Sequence, residues 1–168
     1  LTDTNELIVD IAGFYATGTP ANAEGGFTGI TPFRVVDTRK TGGCIPANTT
    51  RTIAVTNLGG VPTDAAAVAL NVTAVQPTGG GYLTVFPNGD TRPTASNLNF
   101  NAGVVIANAV NVKVGTAGSI SIFNGSGGCS NVIVDTVAHY RPTGSTPTTP
   151  APTVTAVAPT SGPAAGGT

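Results

Sequence analysis

The chain holds one histidine, two cysteines and eight carboxylates against seven Lys and Arg, so any reaction it runs has few parts to draw on. A Ser–His or Cys–His nucleophile would have to use His139. That residue stands beside Tyr140 at the end of the segment "SNVIVDTVAHY", and an earlier segment of the same pattern, "NELIVDIAGFY", puts Phe14 in the same place. A position that takes either Phe or His packs rather than reacts. Ser126 in "NGSGG" lacks the first glycine of a nucleophile elbow, and no helix follows it. "GTAGS" has no Lys-Ser/Thr after it and joins two strands, unlike a phosphate loop. Two cysteines and one histidine do not make a zinc site. Asp90 in "PNGDTRP" has no neighbouring carboxylate with which to share a calcium ion. Nothing brings two Asp together for glycoside hydrolysis. The reading is of a protein that is not an enzyme, with no catalytic residue, metal or cofactor.

Three charged residues stand in or beside apolar runs: Asp37 and Arg39 in "FRVVDTR" and Asp135 in "NVIVDTV". A charge there is costly unless paired. Asp10 repeats in the earlier copy, which makes the charge part of the architecture. The expectation is a structural ion pair, Arg39 with Asp135 or Asp37, tying the first strand to the last and shielded from water. Cys44 and Cys129 each follow a Gly pair, "GGC" in both cases. The charge-poor, Thr/Ser/Asn/Gly-rich composition suits an oxidising, extracellular setting, where a bridge between them would persist. Tyr82 is one of three tyrosines in a chain without Trp, and it marks the one candidate ligand surface.

These residues have to be held by strands. Only 9% of residues are charged and the net charge is −1, which leaves no basic patch for nucleic acid and no acidic tail. No apolar run reaches the ~20 residues that span a bilayer. Gly (23) and Pro (13) punctuate short β-branched runs. Strands are expected from Phe33 to about Arg39 and over "RTIAVT", where Ile53 and Val55 share a face. "AAAVALNVTAV" sets Val68, Leu70, Val72 and Ala74 on one side. Further strands follow at Tyr82–Phe86, "ASNLNF", "VVIANAVNVKV" with Val110, Val112 and Val114 inward, "GSISIF" with Ile120 and Ile122 together, and "NVIVDTVAHY". This is an all-β protein, an antiparallel sandwich or barrel of short strands with extended terminal strands. Residues 27–141 read as one complete unit, 16–26 as a linker and 142–150 as a Pro/Thr linker.

The two copies of the closing strand lie 125 positions apart, with Ile8, Val9, Asp10 and Tyr15 falling on Ile133, Val134, Asp135 and Tyr140. A segment repeated at a fixed offset points to a tandem array. Residues 1–15 then read as the closing strand of a preceding repeat, and the chain as a window on a longer extracellular protein. The motifs "FRVVDTR", "LNVTAV", "YLTVFPNGD", "NLNF" and "NVIVDTVAHY" make residues 27–141 resemble an all-β repeat of actinobacterial secreted and surface proteins, also seen in some phage structural proteins. The resemblance implies an accessory module without activity of its own. "PTVTAVAPTSGPAAGGT", residues 152–168, resembles the first strand and turn of an IPT/TIG immunoglobulin-like domain, so 151–168 would be that domain's beginning. Leu7, Ile8, Val9, Ile11, Phe14 and Tyr15, with Val154 and Val157, are the expected assembly strands: a lone strand leaves its backbone unpaired and must complete a sheet. The expected function is a structural and assembly module of a cell surface, filament or virion appendage, partnered by neighbouring repeats or copies of itself. The alternative is an accessory module that binds polysaccharide or cell wall.

Overall fold

The computed structural model describes residues 25–142. The expectations for residues 1–15, for most of the 16–26 linker, for 143–150 and for 151–168 lie outside the described residues. The described chain forms eight strands: β1 (Phe27–Asp37), β2 (Thr49–Ala54), β3 (Ala67–Val75), β4 (Gly81–Pro87), β5 (Leu98–Phe100), β6 (Val105–Lys113), β7 (Ser119–Asn124) and β8 (Asn131–Tyr140). They make two four-stranded antiparallel sheets, ordered β1-β8-β3-β6 and β2-β7-β4-β5. The sheets pack face to face as a sandwich and do not close into a barrel. Of the seven connections, every one but β4 to β5 passes from one sheet to the other. Each passage needs a tight change of direction, and residues at positive φ gather there, among them Gly42, Gly43, Asn57, Gly59, Gly60 and Gly103.

The core follows the alternation of the sequence. Val68, Leu70, Val72 and Ala74 of β3 are at most 2% exposed, and Val132 and Val134 of β8 lie beside them in register. Ile53, Leu83, Val85, Ile120 and Ile122 of the second sheet meet them across the interface. β4 and β7 are buried on both faces, however. Thr84, Phe86, Ser119 and Ser121 point outward, yet each is nearly covered. The 88–97 loop contributes to that cover. Thr84 donates its hydroxyl proton to the Ala95 carbonyl at 2.9 Å, and Ser121 donates to Asn88 Oδ1 at 3.1 Å.

β2 is displaced to Thr49–Ala54, β5 keeps only the last three residues of "ASNLNF", and β1 departs furthest from its sequence expectation. β1 begins at Phe27 rather than Phe33 and ends at Asp37, before a turn. Gly29 and Pro32 break the β pattern, and the ladder to β8 shifts register twice, between Gly29 and Phe33 and between Arg34 and Val36. Proline is tolerated here because β1 is an edge strand with bulges.

Candidate functional site

The cysteines form the expected bridge. Cys44 and Cys129 are disulfide-bonded with Cα atoms 5.7 Å apart, inside the usual range. The loops they join are locked further by Asn124, which sequence reading missed. Its side chain is fully buried and its Nδ2 donates to the carbonyls of Ile45 (2.8 Å), Pro46 (3.2 Å) and Gly128 (2.8 Å). Its Oδ1 accepts from Ser126 N–H at 3.2 Å. Such an amide is fully satisfied, so burying it carries little penalty. The signal was present in the sequence, an Asn ending a strand just before a Gly-rich loop, but its partners in the 45–46 segment are some 80 residues away.

Of the two partners expected for Arg39, the structure shows Asp37. Arg39 pairs with Asp37, two residues away, through Nε–Oδ1 (2.9 Å) and Nη2–Oδ2 (2.7 Å) bonds. Asp135 does not pair with Arg39. Its partner is Arg34, through a two-pronged contact of 2.8 and 3.1 Å. The bond between first and last strands exists, but a different arginine makes it, because the bulges in β1 set Arg34 directly opposite Asp135. Nor is either pair shielded throughout: the side chains of Arg34 and Arg39 are 51% and 46% exposed, whereas that of Asp37 is only 4% exposed. The Arg39 hydrogen bonds hold the Asp37 carboxyl down at about 2, against the opposing effect of burial. The guanidinium of Arg34 is raised by its bond to Asp135. These contacts hold β1 and its following turn in place.

His139 lies on the core side of β8 beside Val68 and is 7% exposed. Its Nδ1 is buried without a hydrogen-bond partner. Burial lowers its pKa, nearby Arg141 lowers it further, and Asp64 opposes them. No serine or cysteine reaches it through any hydrogen bond among the described residues, and none of these residues form a group of three or more metal-ligating side chains.

Tyr82 sits on the outer face of the second sheet. Its ring lies flat over Gly125, where any β-carbon would collide with it, and 6.2 Å from the ring of Phe123. Arg92, from the 88–97 loop, covers the Phe123 face at 3.8 Å and donates to the Tyr82 hydroxyl at 3.4 Å. Cation–π contact therefore uses the Phe123 face that a sugar ring would stack on. Neither Phe123 nor Arg92 was singled out from the sequence, since the three converge only when the loop folds back over the sheet.

A second surface feature lies at the seam between the sheets. An open cleft of about 470 Å³ is lined by Gly81, Asn99, Phe100, Val104, Val105 and Ile106. Val105 and Ile106 are 64% and 40% exposed, and every residue from Val105 to Ala109 is open to solvent.

No described helix is long and apolar enough to cross a membrane. No protein-family model, curated protein or solved structure matches the chain.

Proposed function

We propose that the chain is a non-catalytic extracellular structural module, a building block of a surface array, filament or appendage whose subunits join by strand donation. In this reading it is a repeat of the actinobacterial surface type, followed by the start of an IPT/TIG domain. One observation carries it. β8 already lies hydrogen-bonded between β1 and β3, while the sequence contains a second version of β8 at residues 5–15. The slot for that strand in its own unit is filled. A surplus strand with apolar residues on both faces is stable only once it joins a sheet. The disulfide supports the extracellular setting. The test is multi-angle light scattering on the full chain and on a variant lacking residues 1–15. The full chain is expected to assemble as concentration rises and the truncated one to stay monomeric. Identical oligomers from both would end this reading.

A second reading, an accessory polysaccharide-binding module, draws on the half-exposed Tyr82 beside the exposed Arg92. It predicts saturable glycan or cell-wall binding, lost in Tyr82→Ala. Arg92 already occupies the Phe123 ring, which favours the structural reading.

A further inference from the structure

The sandwich has four strand edges, and three of them are protected against adding another strand. β1 carries Pro32, Arg34 and two register shifts. β2 has Arg51 at its middle, its guanidinium bonded to the carbonyls of Gly42, Gly43 and Cys44. β5 is three residues long. Pro, charge, bulges and shortness are the usual means of blunting an edge. β6 has none of them along most of its length. It runs nine residues without proline, pairs β3 across nine positions without a register shift, and bears one charge, Lys113, at its end. In an antiparallel ladder, main-chain groups alternate sides. Gln76 donates to the Val104 carbonyl at 2.8 Å, at the start of this ladder. That phase turns the N–H and C=O groups of Val105, Ala107, Ala109 and Asn111 away from β3. They make no main-chain bond to any other element among the described residues.

We propose that the β6 edge and the cleft beside it are the acceptor site for residues 5–15 of a second copy of this chain. The proposal rests on the assembly reading above and adds where the donated strand binds. Charge favours this occupant. Residues 25–142 contain all seven basic residues and four acids, a net of +3, whereas residues 1–24 contain four acids and no base, a net of −4. Asp37 and Asp135 are already taken by Arg39 and Arg34. Lys113 is the one charge on β6, and the donor offers Glu6 and Asp10.

The antiparallel register that sets Glu6 opposite Lys113 then fixes the rest. Ile8, Asp10 and Ala12 fall opposite Asn111, Ala109 and Ala107, whose main chains are free to bond. Leu7 and Val9 fall beside Val112 and Val110, on the core side. Phe14 comes opposite Val105 and Tyr15 opposite Val104, so the donor's aromatic end meets the most exposed apolar residue and the cleft. Main-chain bonds would supply affinity and the cleft a seat for a side chain.

Geometry favours a second copy over the same chain. Phe27 lies at the Tyr140–Ala67–Lys113 end of the first sheet, while this register leaves Tyr15 at the opposite end of β6. The gap is about 31 Å along β6 and about 19 Å across the four strand spacings from β1 to the donated strand, roughly 36 Å in all. Twelve residues stretch to at most about 43 Å, so closure within one chain would demand a nearly straight link.

The experiment uses the full chain. Ala107→Lys and Ala107→Pro alter an exposed residue whose N–H faces away from β3, so both should keep wild-type circular dichroism and melting while losing every species above monomer by light scattering. Separate copies bearing Ala12→Cys and Ala107→Cys, mixed under mild oxidation, should form a disulfide between chains that joins position 12 of one copy to position 107 of the other. Assembly that persists in both Ala107 variants but disappears on deleting residues 1–15 would overturn β6 as acceptor and leave strand donation standing. Assembly that persists after the deletion would overturn strand donation itself. No link between the mixed copies, together with a link inside a chain made to carry both substitutions, would overturn the second copy as occupant.

Discussion

At the level of single residues, two titrating side chains act in separate pH windows. His139 is buried with its pKa below the ordinary 6.5. The unfolded chain then takes up a proton first, so stability falls as pH drops below about 6.5. Asp37 works in the acid range. Its pKa is about 2 in the folded chain against an ordinary 3.8, so its contribution is complete above 3.8 and disappears as pH falls towards 2. Denaturation midpoints measured from pH 8 to 2 should therefore decline in both windows. His139→Phe, which installs the residue that the earlier copy carries as Phe14, should flatten the upper window. Asp37→Asn should make the lower one shallower. An unchanged slope between pH 7 and 5 in His139→Phe would show that the imidazole does not titrate as its burial requires. How far the sequence reveals these residues depends on range. Asp37 and Arg39 are two positions apart, so their pairing is readable. Asp135 and Arg34 meet only through bulges that no local pattern encodes, and the expectation chose the wrong arginine.

At the level of elements, strands with one dry face and one wet face were legible because alternation marks them. β3 and the second half of β6 bury the residues that their patterns indicate. The start of β1 was not legible, since Gly29 and Pro32 look like loop and become strand only against β8. Sandwich and barrel could not be told apart either, because closure depends on whether β6 pairs with a strand of the second sheet. The candidate site divides in the same way. Cysteine count and composition pointed to the bridge, whereas the Tyr82–Phe123–Arg92 cluster needs the 88–97 loop to fold back. β4 also packs unusually close to the 125–129 loop. A β-carbon on Gly81 would press into the main chain of Ser126 and lie 2.7 Å from the Gly125 carbonyl. Backbone cannot rotate aside, so Gly81→Ala should behave as overpacking and cost about 1–3 kcal/mol. It should also disturb tyrosine fluorescence, since Tyr82 follows in the same strand. A denaturation midpoint equal to wild type would mean that the loop yields freely and that its bonds to Asn124 and Ser126 do not hold it.

At the level of the whole molecule, the chain begins and ends its described fold at one pole. Phe27 lies opposite Tyr140, and Arg141 N–H donates to the Gly26 carbonyl at 3.1 Å. β1 and β8 thus form a long-range pair that closes last in sequence. All of the second sheet, with β3 and β6, lies between the cysteines. The disulfide spans 85 residues, and it is continued by the Ile45–Ser130 bridge, with N–H···O bonds of 2.8 and 3.0 Å in each direction. Because the bridge encloses six of the eight strands, its loss would free the unfolded chain from one large closed loop. The chain-entropy account puts that effect at about 4–5 kcal/mol for a loop of this length, a large share of the ~5–15 kcal/mol that holds a typical domain together. The loops around the bridge are also held by contacts that do not involve the cysteines: Asn124 ties Ile45 and Pro46 to Gly128. A Cys44→Ala/Cys129→Ala variant should therefore keep its β-sheet circular dichroism at low temperature. Its urea midpoint should drop steeply relative to the oxidised protein, with the change lying in the unfolded state and in compactness-sensitive m-values. Equal midpoints for the two proteins would show that the loops are held by hydrogen bonding alone and that the bridge adds nothing to folding.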